Sequence, residues 1–201
     1  MIAELGHFAL TLALAFALAQ AAFGFAGAAK GRIDWMGASR SAAFMQFILI
    51  VVAFGALTHA YVTSDFSVKN VVENSNSLKP LIYKISGVWG NHEGSMVLWV
   101  LVLALLGSAV ALFGNNLPPS LRSRVLAVQA LIGIGFLLFI LLTSNPFEKI
   151  TPVQVDGLGF NSILQDPALA IHPPLLYIGY VGFSAAFSMS VATLTLQNNE
   201  K

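Results

Sequence analysis

The sequence predicts an all-α integral membrane protein with about five transmembrane helices. Three observations favour this class: 57% of the 201 residues are hydrophobic, 9% are charged, and the mean hydropathy is +0.78. A soluble domain carries about 25% charged residues, so this chain cannot cover an ordinary water-facing surface. The bilayer is therefore the expected solvent for a single membrane domain over residues 1–201.

Five apolar stretches have the length and composition of membrane spans. Their cores contain no Asp, Glu, Lys or Arg, and each approaches the roughly 20 residues that a spanning helix needs. They are predicted to be helices because backbone groups in hydrocarbon must pair within their own segment. The first lacks the basic flank of a signal peptide, so we expect it to be retained. The stretches are residues 5–29, 42–63, 96–113, 125–143 and 173–196.

The distribution of charge predicts an orientation. The two short connections carry five basic residues, whereas the two long ones carry six of the nine acids. Basic short loops face the cytoplasm. We therefore expect the N-terminus and both long loops, residues 64–95 and 144–172, to lie outside and the C-terminus inside. The basic residues of the short loops are Lys30, Arg32, Arg40, Arg122 and Arg124.

Composition also excludes several functions. A net charge of +1 without a basic cluster argues against a nucleic-acid partner. The absence of cysteine excludes disulfides, thiolate catalysis, Cys-ligated zinc, iron–sulfur clusters and a thioether-bound haem on this chain.

Small residues recur every four positions in the first and last spans, a spacing that lets helices approach closely. The same residues are common in membrane helices generally, so a packing role is a prediction. The two stripes are Ala9, Ala13, Ala17 and Ala21, and Gly182, Ala186 and Ser190.

The predicted topology brings all four histidines to the outer end of the bundle. Imidazole at such an interface can bind a metal or haem, or move protons. For His7 and His59 we prefer the simpler interpretation of amphipathic residues at a wet boundary. His92 and His172 each precede a predicted span.

His172 is followed by Pro173 and Pro174. Prolines suit the first turn of a helix, so the pattern predicts a helix that begins at His172. The helix dipole there would favour a neutral imidazole, which is the form that ligates haem iron. Tyr177 and Tyr180 follow in the outer half of the same helix. From the residues alone, His172 could equally be a ligand of haem iron or a residue that only caps the helix.

Residues 89–95 read Trp-Gly-Asn-His-Glu-Gly-Ser. The His92–Glu93 pair is reminiscent of zinc proteases, but that motif needs a second histidine at the position of Met96. A docking loop for a flat apolar ligand or a polypeptide, and a simple glycine-rich helix entry, both stay open.

Taken together, these motifs resemble the N-terminal part of the CcmF/NrfE-type cytochrome c haem lyases. The resemblance runs through nearly the whole chain, and several motifs in the same order make it specific. The matching segments are residues 4–10, 64–68, 74–77, 89–95, 164–166 and 172–182.

The resemblance implies a component of a lyase that attaches haem b, as substrate, covalently to a CxxCH apocytochrome c on the outer face of the membrane. It implies that His172 is an axial ligand of the haem iron and that Tyr177 and Tyr180 lie in the haem surroundings. The residues expected at the docking surface for haem or polypeptide are Trp89, His92, Glu93 and Asp166.

The resemblance also implies partners: a C-terminal lyase portion with a tryptophan-rich WWD segment and a further structural haem, a haem chaperone, and a thiol-handling protein for the apocytochrome. That portion is not in this sequence, and Ser162 departs from an expected proline. We therefore expect part of a longer or split lyase that is catalytically incomplete alone. The expected location is the bacterial or mitochondrial inner membrane.

The sequence leaves two other functions open. A haem or solute transporter half would carry polar or charged residues near mid-membrane, and the spans lack charges. A non-catalytic membrane scaffold that binds partners is the second alternative.

Overall fold

The computed structural model describes residues 1–159 and 165–197 as an all-helical protein. Five of its helices are long and apolar enough to cross a membrane, which confirms the predicted class. No strand occurs in the described ranges, where Val68 and Lys149 form one isolated antiparallel bridge. The helices are α1 (Ile2–Lys30), α2 (Ile33–Val62), α3 (Lys69–Asn74), α4 (Leu81–Gly87), α5 (His92–Phe113), α6 (Pro119–Thr143) and α7 (Pro167–Gln197), with a short 3₁₀ turn at Gly114–Asn116.

The bundle is centred on α1, α2, α5 and α6. Helix α1 packs along α2 and α6, α2 packs on α5, and α7 lies at the edge against α5 and α6. The core contains Leu10, Ile50, Leu57, Leu137 and Ile140, all fully buried. The first tight connection follows from Gly31, whose φ of 63° ends α1 and whose N–H donates to Gly27 O.

The two small-residue stripes have different outcomes. All four alanines of the α1 stripe are buried, so the predicted packing role is confirmed there. On α7, Ala186 and Ser190 are exposed and a Cβ built on Gly182 would meet nothing within 4 Å. The buried residues of α7 are instead Ala170, Val181, Ser188 and Ala192. A four-residue repeat could not show which face of this helix meets the bundle.

The two long loops form one structured layer at the end of the bundle. Ile150 N–H donates to Ser67 O at 3.0 Å, and Leu158 N–H donates to Val72 O at 2.7 Å. Asp156 accepts from the backbone N–H and the hydroxyl of Ser77 at 2.9 and 2.7 Å, and these bonds hold the pKa of Asp156 below its usual range. The loops are thus connected by backbone hydrogen bonds as well as by side chains.

The first loop is shorter than predicted because α5 already begins at His92. The loop is also not irregular throughout, since the short helices α3 and α4 fold within it. The second predicted loop, residues 144–172, includes Ser162 and the other residues 160–164, which lie outside the described part of the chain. Its last six residues are helical, because α7 begins at Pro167.

The prediction that α7 begins at His172 is therefore wrong. Asp166 caps the helix: its carboxylate accepts from the N–H groups of Ala168 and Leu169 at 2.8 and 3.1 Å. Pro167 then occupies the first helical position, which suits a residue without an N–H. His172 lies in the second turn, beyond the first turn to which the effect of the helix dipole is largely confined, so the argument from a helix start does not apply to it.

Candidate functional site at the loop end of the bundle

All four histidines lie at the end of the bundle that carries the two loops, but they do not converge. His7 contacts the Asn145 side chain through its Nδ1 at 3.2 Å. The His92 ring meets the ring of Phe139 edge-on at 6.0 Å. In the described ranges, no three His, Asp or Glu side chains are grouped as a metal site.

Trp89 is the residue that joins the two sequence motifs. Its indole N–H donates to the carbonyl oxygen of Ala170 at 2.9 Å, and its ring stacks on Phe54 at 6.4 Å. In a regular helix the Ala170 carbonyl would accept from the N–H of residue 174, but Pro174 has none. Trp89 therefore supplies the hydrogen bond that the proline removes from the helix.

A cavity of about 300 Å³ opens between the start of α5 and the start of α7. Trp89, His92, Pro173 and Tyr177 are among its lining residues. Of the residues predicted for docking or haem contact, three therefore share one cavity: Trp89, His92 and Tyr177. On the other side of Trp89, an apolar cleft of about 270 Å³ lies between α4 and α7.

The other predicted residues lie elsewhere. His172 is exposed. Each residue of a helix is rotated by about 100° from the one before it, so His172 lies about 200° around the axis of α7 from the buried Ala170. It is therefore on the face of α7 that is turned away from the bundle. Tyr180 is 64% exposed and contacts Trp99, with ring centroids 5.7 Å apart. Asp166 caps α7 and does not line the cavity.

Glu93 points into a polar network beneath the loops, away from His92. Asn70 Nδ2 donates to Glu93 Oε2 at 3.1 Å and to Asn91 Oδ1 at 2.9 Å. Asn91 Nδ2 donates to the Tyr61 hydroxyl at 2.9 Å, and that hydroxyl donates to Asn70 Oδ1 at 2.6 Å. Tyr61 is fully buried, so this closed set of bonds fixes α2, α3 and α5 relative to one another.

Asn91 also begins α5. Its Oδ1 accepts from the Gly94 N–H at 2.8 Å, which is the bond of an N-cap. Gly94 packs so closely on the preceding turn that a Cβ would collide with the Val88 carbonyl oxygen. The two motif residues Asn91 and Gly94 are thus explained by the entry of α5, while Trp89 and His92 face the cavity.

Sequence reasoning missed two groups of residues. Tyr61, Asn70 and Asn91 form the network just described, and no linear spacing connects them. Three glutamines, Gln20, Gln46 and Gln129, are buried in the bundle. Each of these glutamines could have been noticed in the sequence as a polar amide inside an apolar span, which is a costly position and therefore one that invites a functional or structural explanation.

The comparisons with known proteins agree on one family. The family described as "Cytochrome C assembly protein" matches residues 89–201. The chain is 59% identical over 194 residues to "Cytochrome c-type biogenesis protein ccl1" of Rhodobacter capsulatus, covering 96% of this chain and 30% of that protein. It is also 59% identical over 194 residues to "Cytochrome c-type biogenesis protein CycK" of Rhizobium meliloti, covering 96% of this chain and 29% of that protein.

A solved structure, "Cytochrome c Heme Lyase CcmF", matches with a TM-score of 0.86 at 28% identity. The match covers 98% of this chain and 31% of that one. The chain therefore spans less than a third of the length of the proteins that it matches.

Proposed function

The chain belongs to the family of cytochrome c assembly proteins, and from that membership we propose that it forms part of a haem lyase in the bacterial inner membrane. The substrate is haem b, and the product is haem attached to a CxxCH apocytochrome c on the outer face. The observation that carries the proposal is the match to a haem lyase over 98% of the chain.

The reaction adds two thiols of the apocytochrome across the two vinyl groups of haem. In each addition the sulfur bonds to one vinyl carbon and the thiol proton goes to the other, so no oxidant is consumed. The work left to the protein is to hold haem and polypeptide in the correct orientation. A chain without cysteine can do this without forming a thioether of its own.

We assign the role of axial ligand to His172. Its imidazole is exposed on α7, and the first two turns of that helix are fixed by the Asp166 cap and the Trp89–Ala170 bond. A haem bound through His172 would lie on the outward face of α7, separate from the cavity that His92 lines. That face would be shared with the remaining part of a complete lyase and its WWD segment.

We assign the cavity lined by Trp89, His92 and Tyr177 to polypeptide docking near the haem. His172 is not among its lining residues, but the cavity and His172 lie around the same turns of α7, a helix about 10 Å in diameter. Glu93 and Asp166 would then support the surface, Glu93 through Asn70 and Asp166 through the start of α7. A haem chaperone and a thiol-handling protein would be the transient partners.

The test uses the complete lyase that contains this chain. His172→Ala is expected to abolish or strongly reduce the Soret band of haem captured on the outer face, and with it the yield of holocytochrome c. His59→Ala is the matched control, because His59 is also an exposed histidine at the loop end of the bundle. Normal haem content and normal yield in His172→Ala, at equal protein level, would overturn the assignment and favour a scaffold.

A further inference from the structure

Three glutamine side chains are buried together in the apolar interior, away from the loops. Gln20 on α1 is 2% exposed, Gln46 on α2 is 5% exposed and Gln129 on α6 is 3% exposed. They line one small space of about 10 Å³, together with residues of α5 that include Gly107. Amides at this depth are costly unless their hydrogen bonds are made.

Several of these amide atoms lack a protein partner. Gln20 Nε2 donates to the Leu126 carbonyl at 2.8 Å. Among the described residues, however, Gln20 Oε1 and both Oε1 and Nε2 of Gln129 have no hydrogen-bond partner. Because both ends of the Gln129 amide are unsatisfied, reversing the assignment of its oxygen and nitrogen would not remove the deficit.

Two glycines make room for the amides. A Cβ on Gly107 would lie 2.9 Å from Gln129 Oε1, and a Cβ on Gly133 would lie 3.1 Å from Gln46 Nε2. Gln129 and Gln46 are thus each faced by a glycine on a neighbouring helix. The arrangement keeps the three amides inside the bundle instead of displacing them to its surface.

We propose that this space is a binding site for one ordered water molecule. A water molecule can donate to Gln20 Oε1 and to Gln129 Oε1 and can accept from an amide N–H, which matches the unsatisfied groups. A volume of about 10 Å³ leaves room for a single water molecule with polar partners on several sides. A monovalent cation could satisfy the two oxygens only, because it cannot accept a hydrogen bond from Nε2.

The site connects α1, α2, α5 and α6, in the half of the bundle farther from the loops. A water shared by amides on different helices would join those helices by hydrogen bonds in addition to their apolar packing. The inference does not depend on the haem lyase function, because none of these residues contributes to the loop end of the protein.

The test is a structure of the complete protein at a resolution that shows ordered water. We expect a density peak at about 2.7–3.2 Å from both Gln20 Oε1 and Gln129 Oε1. A direct Gln20–Gln129 hydrogen bond that fills the space would overturn the proposal. So would a peak with short contacts of about 2.4 Å to oxygen atoms alone, since that geometry belongs to a metal ion.

Two variants and one control variant make the test specific. Gly107→Ala places a methyl group 2.9 Å from Gln129 Oε1, so we expect it to expel the water and lower the midpoint of thermal unfolding. Gly135→Ala is the control on α6, because its Cβ would meet nothing within 4 Å. Gln129→Leu is expected to lose the peak while the protein still folds. Retention of the same peak in Gln129→Leu would also contradict the proposal.

Discussion

The indole N–H of Trp89 donates to the carbonyl oxygen of Ala170, across 2.9 Å. It thereby replaces the backbone hydrogen bond that Pro174 cannot make. A helix can contain two consecutive prolines here because a side chain from the preceding motif satisfies a carbonyl that they leave free. The same bond fixes the turns of α7 that carry His172 against α5.

This relationship predicts a specific coupling between Trp89 and Pro174. Trp89→Phe keeps an aromatic ring but removes the donor, and leaving a buried carbonyl unpaired costs about 1–3 kcal/mol. In a Pro174→Ala background the new backbone N–H can bond Ala170 O, so the cost of Trp89→Phe should fall. Thermal unfolding of the four proteins in detergent measures this double-mutant cycle.

Trp99→Phe is the control for that cycle. Trp99 contacts Phe136 and Tyr177 through its ring, and its indole does not hydrogen-bond the Ala170 carbonyl, whose side-chain donor is Trp89. Its effect should be the same with proline or alanine at position 174. An equal loss for Trp89→Phe in both backgrounds would show that the indole N–H does not act through this carbonyl.

Gly94 should tolerate no side chain. A Cβ there would collide with the Val88 carbonyl, a backbone atom that cannot rotate away. We expect Gly94→Ala to prevent accumulation of folded protein or to lower its thermal midpoint by roughly ten degrees or more. Gly37→Ala is the comparison, since its Cβ would have nothing within 4 Å. Similar folded yields for both variants would contradict the tight helix entry, as measured by size-exclusion chromatography in detergent.

Asn91 should have two separable roles, as the cap of α5 and as a donor to Tyr61. Asn91→Ser retains a capping oxygen but is too short to reach the Tyr61 hydroxyl, whereas Asn91→Ala loses both. Since a lost cap costs about 1 kcal/mol, the order of stability should be wild type, then Ser, then Ala. Chemical or thermal unfolding tests the order. If Ser and Ala lose the same amount, the cap contributes nothing.

Lys79 should make stability rise with pH above about 8. Burial, with a smaller contribution from the positive charge of Lys84, lowers the pKa of Lys79 to about 8 from its ordinary value of 10.5. Between these values the unfolded chain binds more protons than the folded one, so raising the pH favours the folded state. Below pH 8 Lys79 is protonated in both the folded and the unfolded state, so the folded state bears the full free-energy cost of burying its positive charge.

The measurement compares thermal midpoints from pH 7.5 to pH 10. Lys79→Met should flatten the rise relative to wild type. Lys69→Met should leave the rise in place, because Lys69 is exposed and its bond to Glu148 raises its pKa. The interpretation fails if Lys79→Met and wild type show the same slope.

Much of the architecture could be predicted before any coordinates. The five spans follow from apolar length, and each ends within one residue of the corresponding helix, although every helix begins several residues earlier than predicted. The packing of α1 followed from the four alanines. The start of α7 did not, because Pro173 and Pro174 were interpreted alone, while the Asp166–Pro167 pair upstream was the stronger N-terminal signal. That His172 ligates the haem iron, and that Tyr177 and Tyr180 lie near the haem, stay predictions.

The sequence by itself determined that the chain is a bundle of membrane helices, which end carries the histidines, and which family it resembles. These properties depend on composition and on local patterns, which survive without a fold. Only the tertiary structure decided that Trp89 bonds Ala170, that His92 and Glu93 point in different directions, and that Gln20 and Gln129 share one space. Such contacts join residues about 80 to 110 positions apart, and their geometry is set by how helices rotate against one another, which no linear spacing encodes.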